Sequence, residues 1–253
     1  MIAAKSDPRP ALSLIIPILN EQAKIADDIR SAAEFCRGRG ITTEIIIADD
    51  GSRDDGINVA RETIKNLPEG ISLVILENRV QRGKGAAVRS GVLAAQGEII
   101  MFADSGGNVP WQFLVAGLDL IKKGTCQIAH GSRKLPESKI LVRQSRLRRF
   151  LSSAFQRLAH MILPLPGDLT DTQCGFKLYT RAAAKTLYQN CVLDGFLFDL
   201  EIILSARNAG IAIVEFPIDW SWDKDSRLRY GQSTFLVLKE LVFLYKAFGR
   251  SRG

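Results

Sequence analysis

The chain predicts an α/β fold: a mostly parallel central sheet flanked by helices, with amphipathic helices towards the C-terminus. Three observations lead there. The first half alternates short β-branched apolar runs with helical stretches in a βαβαβ rhythm. Residues 13–18 and 44–48 are almost continuously apolar, as strands of a parallel sheet covered on both faces must be. Two of the runs end in a carboxylate and then a glycine, Asp49-Asp50-Gly51 and Asp104-Ser105-Gly106, and open α/β sheets bind ligands at the carboxyl ends of their strands.

The elements follow in order. Strands are expected at residues 12–16, 44–48, 73–76 and 99–102, with helices between them at 21–36, 54–66 and 84–95. After Pro110 the rhythm changes. A helix at 111–122 leads to a short strand at 127–129, then to a long basic amphipathic segment at 140–163. A strand at 176–179, a helix at 198–208, a strand at 212–216 and a final helix at 233–248 complete the chain. Residues 1–10, MIAAKSDPRP, read as a loose tail without a secretory apolar core. Residues 11–253 read as one domain, whose halves divide at about residue 110.

Composition narrows the chemistry. A length of 253 residues, 46% hydrophobic, supports one large core. Net charge is +7 and the isoelectric point about 9.4, which points to phosphate-bearing or membrane-surface partners; no nucleic-acid recognition motif accompanies the charge. Four scattered cysteines without a CxxC, and only His130 and His160 as imidazoles, argue against a zinc site and for a reducing compartment. No run reaches the ~18–20 apolar residues of a membrane span; residues 235–248 come nearest, interrupted by Lys239, Glu240 and Lys246. Any membrane role is therefore expected to be peripheral.

Three strand-end motifs carry the candidate chemistry, each with a structural alternative. Asp49-Asp50-Gly51-Ser52 can hydrogen-bond a base or ribose, or simply turn the chain into the next helix. Arg82-Gly83-Lys84-Gly85 lacks the Ser or Thr of a Walker A loop; it can present backbone N–H groups to phosphate, or be a solvated basic turn. Asp104 can hold Mg2+ or Mn2+ bridged to a diphosphate, or cap a helix.

Taken in order, the motifs resemble the family 2 glycosyltransferases, in particular those that transfer glucose or mannose to dolichyl or polyprenyl phosphate. The likeness rests on residues 16–21 (IPILNE), 49–52 (DDGS), 83–89 (GKGAAVR), 102–104 (FAD), 131–133 (GSR), 171–177 (DTQCGFK) and 198–201 (FDLE). It implies a GT-A, Rossmann-like nucleotide-sugar fold and an inverting hexosyl transfer from UDP-glucose or GDP-mannose to a polyprenyl phosphate at the cytoplasmic membrane face. Pro17, Asn20, Glu21, Asp49, Asp50, Lys84 and Asp104 would hold the donor. Asp104 would be the first acid of the DxD metal motif; Gly106 stands where the second acid usually is. Asp171, Arg133 and Asp199 would serve the chemistry, Asp171 as a base candidate. A phosphate monoester is already largely anionic at neutral pH, so Asp171 can instead orient groups; Asp199 and Glu201 are the alternative acids.

From Arg133 to Arg157 eight basic residues face one acid, Glu137, an excess equal to the whole chain's net charge. With apolar residues at helical spacing, this segment can lie on anionic lipid or pack on the core. Arg133 and Arg143 suit an acceptor phosphate. Trp220 and Trp222 can stack on a sugar, and the charged stretch 223–229 can close over the donor. A hydroxyl-acceptor transferase and a non-catalytic nucleotide-sugar binder are the rival functions.

Overall fold

A computed structural model describes residues 9–142, 145–222 and 232–249. Most of the tail, Arg143, the 223–229 stretch and the side chains of Arg146, Arg148 and Arg149 lie outside the described residues.

The first half builds as its sequence rhythm requires. Strand β1 (Leu12–Ile18), helix α1 (Ile25–Gly38), strand β2 (Thr43–Asp49), helix α2 (Gly56–Thr63), strand β3 (Ile71–Glu77), helix α3 (Lys84–Ala94) and strand β4 (Ile99–Ala103) alternate without exception. Residues 21–24 form turns rather than the start of α1, and Ile64–Asn66 tightens into a 3-10 turn after α2. The second half holds α4 (Leu114–Lys122), β5 (Ile128–Ser132), β6 (Lys139–Val142), α5 (Arg146–Ile162), β7 (Phe176–Thr180), α6 (Arg181–Gln189), α7 (Phe198–Asn208), β8 (Ile213–Pro217), β9 (Asp219–Ser221) and α8 (Gln232–Phe248).

Seven strands form one sheet in the order β3-β2-β1-β4-β7-β5-β8. All neighbours run parallel except β7, which is antiparallel to both β4 and β5. The chain moves outward from β1 to β2 and β3, then returns to the other side of β1 as β4, which makes the carboxyl ends of β1 and β4 a switch point of the kind where open α/β sheets bind ligands. The β4–β7 seam, where Ala103 faces Phe176, joins the two halves of the chain into a continuous sheet.

Both sheet faces are covered, which accounts for the unbroken apolar strands. One core packs Leu12, Leu14, Ile45 and Met101 under α1, α2 and α4. The other packs Ile15, Ile46, Ile100 and Phe102 under α3, α6, α7 and α8. The four cysteines are free and buried.

The segment read as a single amphipathic helix over 140–163 divides in two. Lys139–Val142 is β6, paired in parallel with β9; its Lys-Ile-Leu-Val sequence favours an extended strand. The helix begins at Arg146.

Candidate active site

The loops after β1 and β2 are stitched together. Asn20, at φ 55°, donates its backbone N–H to Ser52 Oγ at 2.7 Å, and its Oδ1 accepts from the Arg53 amide at 2.7 Å. The Gln22 amide donates to Asp54 at 2.9 Å. Pro17 lies opposite Ala48 in the β1–β2 register, and the Glu21 carboxylate lies 3.5 Å from Lys24. Asp49 turns back on its own loop, accepting from the amides of Gly51 and Ser52 at 3.1 and 3.0 Å, an Asx-type turn. Asp50 accepts from the amides of Arg82 and Gly83, both at 2.8 Å. Burial raises the Asp50 carboxyl, and those two amides hold it back.

The Gly-Lys turn resolves against the phosphate-cradle alternative. Its amides at 82 and 83 go to Asp50, those of Gly85 and Ala86 to the carbonyls of Gly195 and Asp194. Gly85 is needed because a Cβ there would meet the Leu193 carbonyl at 2.6 Å. The turn is thus a packing joint between α3 and the 193–197 loop, and what it presents is the Lys84 side chain.

Lys84 Nζ lies 2.5 Å from Asp104 Oδ1 and 5.7 Å from the centre of the Phe102 ring. Burial alone would lower the Lys84 ammonium pKa; Asp104 and Asp199 outweigh it and the net shift is upward. Asp104 is one-third exposed and follows β4, its amide bonded to the Gly175 carbonyl at 3.0 Å.

Across the β4–β7 seam the carboxylates are held by cations. Asp171, fully buried, accepts from Arg133 Nε at 2.6 Å, Nη2 at 2.8 Å and the Arg133 amide at 3.1 Å. Burial would raise this carboxyl, but the guanidinium overrides burial and holds it well below the usual carboxylate range. The Arg133 plane also lies 5.2 Å over the Trp220 ring. Asp199 pairs with buried Lys177, which also donates to the Thr172 carbonyl at 3.1 Å. Burial raises Asp199 despite Lys177 and Lys84. Glu201 accepts from the amides of Val192 and Leu193 at 3.0 and 2.8 Å; it anchors a loop. His130 is buried with both ring nitrogens unpartnered, and burial followed by Lys177 keeps it neutral, its pKa far below the usual imidazole value.

A small cleft lies on the β4–β7 seam, lined by Asp104, Gly107, Asn108, Cys174, Gly175 and Trp220. An ion pair adjoins each of two lining residues: Lys84 binds Asp104, and Arg133, paired with Asp171, lies over Trp220. Among the described residues no three His, Cys, Asp or Glu side chains cluster to hold a metal. The donor set fits a divalent cation only as one carboxylate, Asp104, completed by oxygens of a bound diphosphate.

Residues 13–188 match the description of glycosyl transferase family 2. The chain belongs to that family. It is a glycosyltransferase, similar to the dolichyl-phosphate beta-glucosyltransferases of Dictyostelium discoideum (30% identical over 91% of this chain and 72% of the relative) and Mus musculus (32% over 94% and 75%). Among solved structures it resembles glucosyl-3-phosphoglycerate synthase from Mycobacterium tuberculosis in complex with UDP. The TM-score is 0.67 at 18% identity, over 94% of this chain and 79% of that one. The same synthase with Mn2+, UDP-glucose and phosphoglyceric acid gives a TM-score of 0.64 at 17% identity, over 96% and 82%. The fold is the GT-A type.

Within this family 2 fold, sequence reasoning missed the residues that shape the site without lining it. Asp28 on α1 binds the turn after Asp104. Asp194 binds Arg82 and Arg89. Glu240 on α8 accepts from the amides of Gly195 and Leu197 at 2.9 and 3.0 Å. No local signal marks them, because each partner lies 43 to 112 residues away in sequence.

Proposed function

We propose that this chain transfers glucose from UDP-glucose to a polyprenyl phosphate of the dolichyl type at a membrane surface, with inversion at the anomeric carbon. The observation that carries the reading is the state of the expected bases. Asp171 is locked on Arg133, Asp199 on Lys177, and Glu201 on two backbone amides. A hydroxyl acceptor needs a base to take its proton. A phosphate monoester arrives anionic and needs none.

In this reading Asp171 fixes the Arg133 guanidinium, and Arg133 holds the acceptor phosphate in a fork geometry suited to it. A phosphate oxygen attacks the anomeric carbon as the bond to the UDP oxygen breaks, and UDP leaves. Lys84 faces the leaving diphosphate, and Asp104 would hold Mg2+ or Mn2+ together with the donor phosphates. Such a cation supplies charge neutralisation of the leaving group. The loops carrying Pro17, Asn20, Glu21, Asp49 and Asp50 form the nucleoside side. Glucose rather than mannose is supported by the similarity to dolichyl-phosphate beta-glucosyltransferases, and UDP as its carrier by the likeness to a synthase solved with UDP-glucose.

The membrane surface is supported by the outer faces of α5 and α8. Leu158 and Met161 on α5, and Leu236, Leu238, Val242 and Tyr245 on α8, are exposed, and Lys239 and Lys246 are interleaved with the α8 set. Among the described residues no helix is long and apolar enough to cross a membrane.

The test is transfer of labelled sugar into the organic phase. Purified protein receives polyprenyl phosphate with UDP-glucose or GDP-mannose, with and without Mn2+ or Mg2+. Label from UDP-glucose recovered as a lipid phosphodiester is expected. Transfer from GDP-mannose alone would overturn the donor; no transfer from either, with UDP still binding, would overturn the acceptor.

A further inference from the structure

The turn after Asp104 is held from a distance. Asp28, buried in the first turn of α1, accepts from Ser105 Oγ at 2.6 Å and from the Gly106 amide at 2.9 Å through Oδ2, and from the same amide at 3.1 Å through Oδ1. One turn further along α1, Ser31 Oγ accepts from Trp111 Nε1 at 3.0 Å. On the opposite side the Asn108 carbonyl accepts from the Ser221 amide of β9 at 2.9 Å. The segment 105–111 is therefore clamped between α1 and β9.

The clamped segment supplies cleft-lining residues Gly107 and Asn108, directly beyond Asp104. Gly106 and Gly107 have φ of 97° and 60°, in the left-handed region where a side chain is strained. An acid at position 106 is thus disfavoured by the backbone of the turn that Asp28 binds. The Asp28 carboxylate is engaged by the Ser105 hydroxyl and the Gly106 amide and is buried, facing this turn rather than the cleft.

We propose that Asp28 is a positioning residue: by anchoring the Ser105-Gly106-Gly107 turn from α1, it sets Asp104 as the single carboxylate presented to the donor diphosphate, in a chain where position 106 carries no acid. This rests on the donor reading above and adds to it a residue that touches no substrate. A buried anchor of this kind is worth making because two donors are otherwise left without an acceptor. Its consequence is a site whose diphosphate affinity depends on a helix that lines none of the cleft.

The experiment compares wild type, Asp28→Ala and Asp28→Asn by hydrogen exchange over residues 104–109 and by titration with UDP in the presence of Mn2+, together with kcat and KM for transfer. In Asp28→Ala, exchange of the Gly106 amide should quicken and UDP affinity should fall by about tenfold, the scale of one lost buried anchor. kcat should fall while the acceptor KM stays within about twofold. Asp28→Asn keeps one acceptor oxygen and should lie between. Should Asp28→Ala fail to fold, Ser105→Ala removes one donor and leaves α1 intact, with a loss of roughly two- to fivefold expected. Unchanged exchange in folded Asp28→Ala overturns the anchor. Faster exchange with wild-type UDP affinity and kcat overturns the positioning role. Failure of the wild type to bind UDP would sink the donor reading instead, while the exchange arm still reports on the anchor.

Discussion

The two sides of the β4–β7 seam immobilise their carboxylates by different means. On the β1–β2 side Asp28, Asp49 and Asp50 are held by amides and a hydroxyl. On the β7–β5 side Asp171 and Asp199 are held by Arg133 and Lys177. An amide leaves the carboxylate's full negative charge in place, whereas a guanidinium or ammonium cancels it. The β1–β2 side thus fixes the shape of its loops through amides, while at the end of β4 Asp104 is paired with Lys84. On the β7–β5 side Asp171 is neutralised by Arg133 and Asp199 by Lys177. Turns do the work of precision on one side and buried ion pairs do it on the other.

That contrast can be broken by removing single partners. The largest effect is expected at Lys177→Met, which strands Asp199 as a buried charge and should cost about 3–5 kcal/mol of stability. The double variant Lys177→Met with Asp199→Asn should recover most of that loss, because no uncompensated charge remains. Chemical denaturation measures both; equal losses in the single and double variants would show that packing, not pairing, sets the cost.

On the other side of the seam Asp50→Ala leaves the Arg82 and Gly83 amides without their acceptor. The expected cost is smaller, about 1–3 kcal/mol, and it should fall on the Gly-Lys turn. Quickened amide exchange confined to 82–86, with a modest shift in denaturation midpoint, is the expected pattern. A global loss as large as that of Lys177→Met would erase the distinction between the sides.

The smallest effect is a null one and concerns pH. The folded Asp171 pKa is depressed below its unfolded value by Arg133. Its contribution to stability is therefore complete above the unfolded value of about 3.9 and is lost only as pH falls through the folded one. Between pH 5.5 and 8 neither stability nor kcat should show an acid limb assignable to Asp171. Such a limb, abolished by Asp171→Asn, would restore it as a general base.

Much of the first half was legible because its signals are local. The apolar runs place β1, β2 and β4, and with them the ends that carry Asp49 and Asp104; α7 (Phe198–Asn208) was read to the residue. The second half was harder. Nothing in the sequence of residues 176–180 says that β7 inserts antiparallel between β4 and β5. Helix α6 was not read although Thr180 caps it locally; the short Asp219–Ser221 strand and the extended Lys139–Val142 were not read, because each depends on the other, far along the chain. The same distance hid Asp28, Asp194 and Glu240. The Gly-Lys turn shows the limit from the other side: its composition suits a phosphate cradle or a packing joint equally, and only the destinations of its amides separate the two.

The antiparallel insertion of β7 carries a mechanical consequence. A strand that runs against its neighbours begins where they finish, so the segment entering β7, with Asp171 and Gly175, meets the segments leaving β4 and β5, with Asp104 and Arg133, along one edge. Here the spacing between Asp104 and Arg133, the residues that leave β4 and β5, is written into hydrogen-bonded strand register through β7, a lattice constant of the sheet.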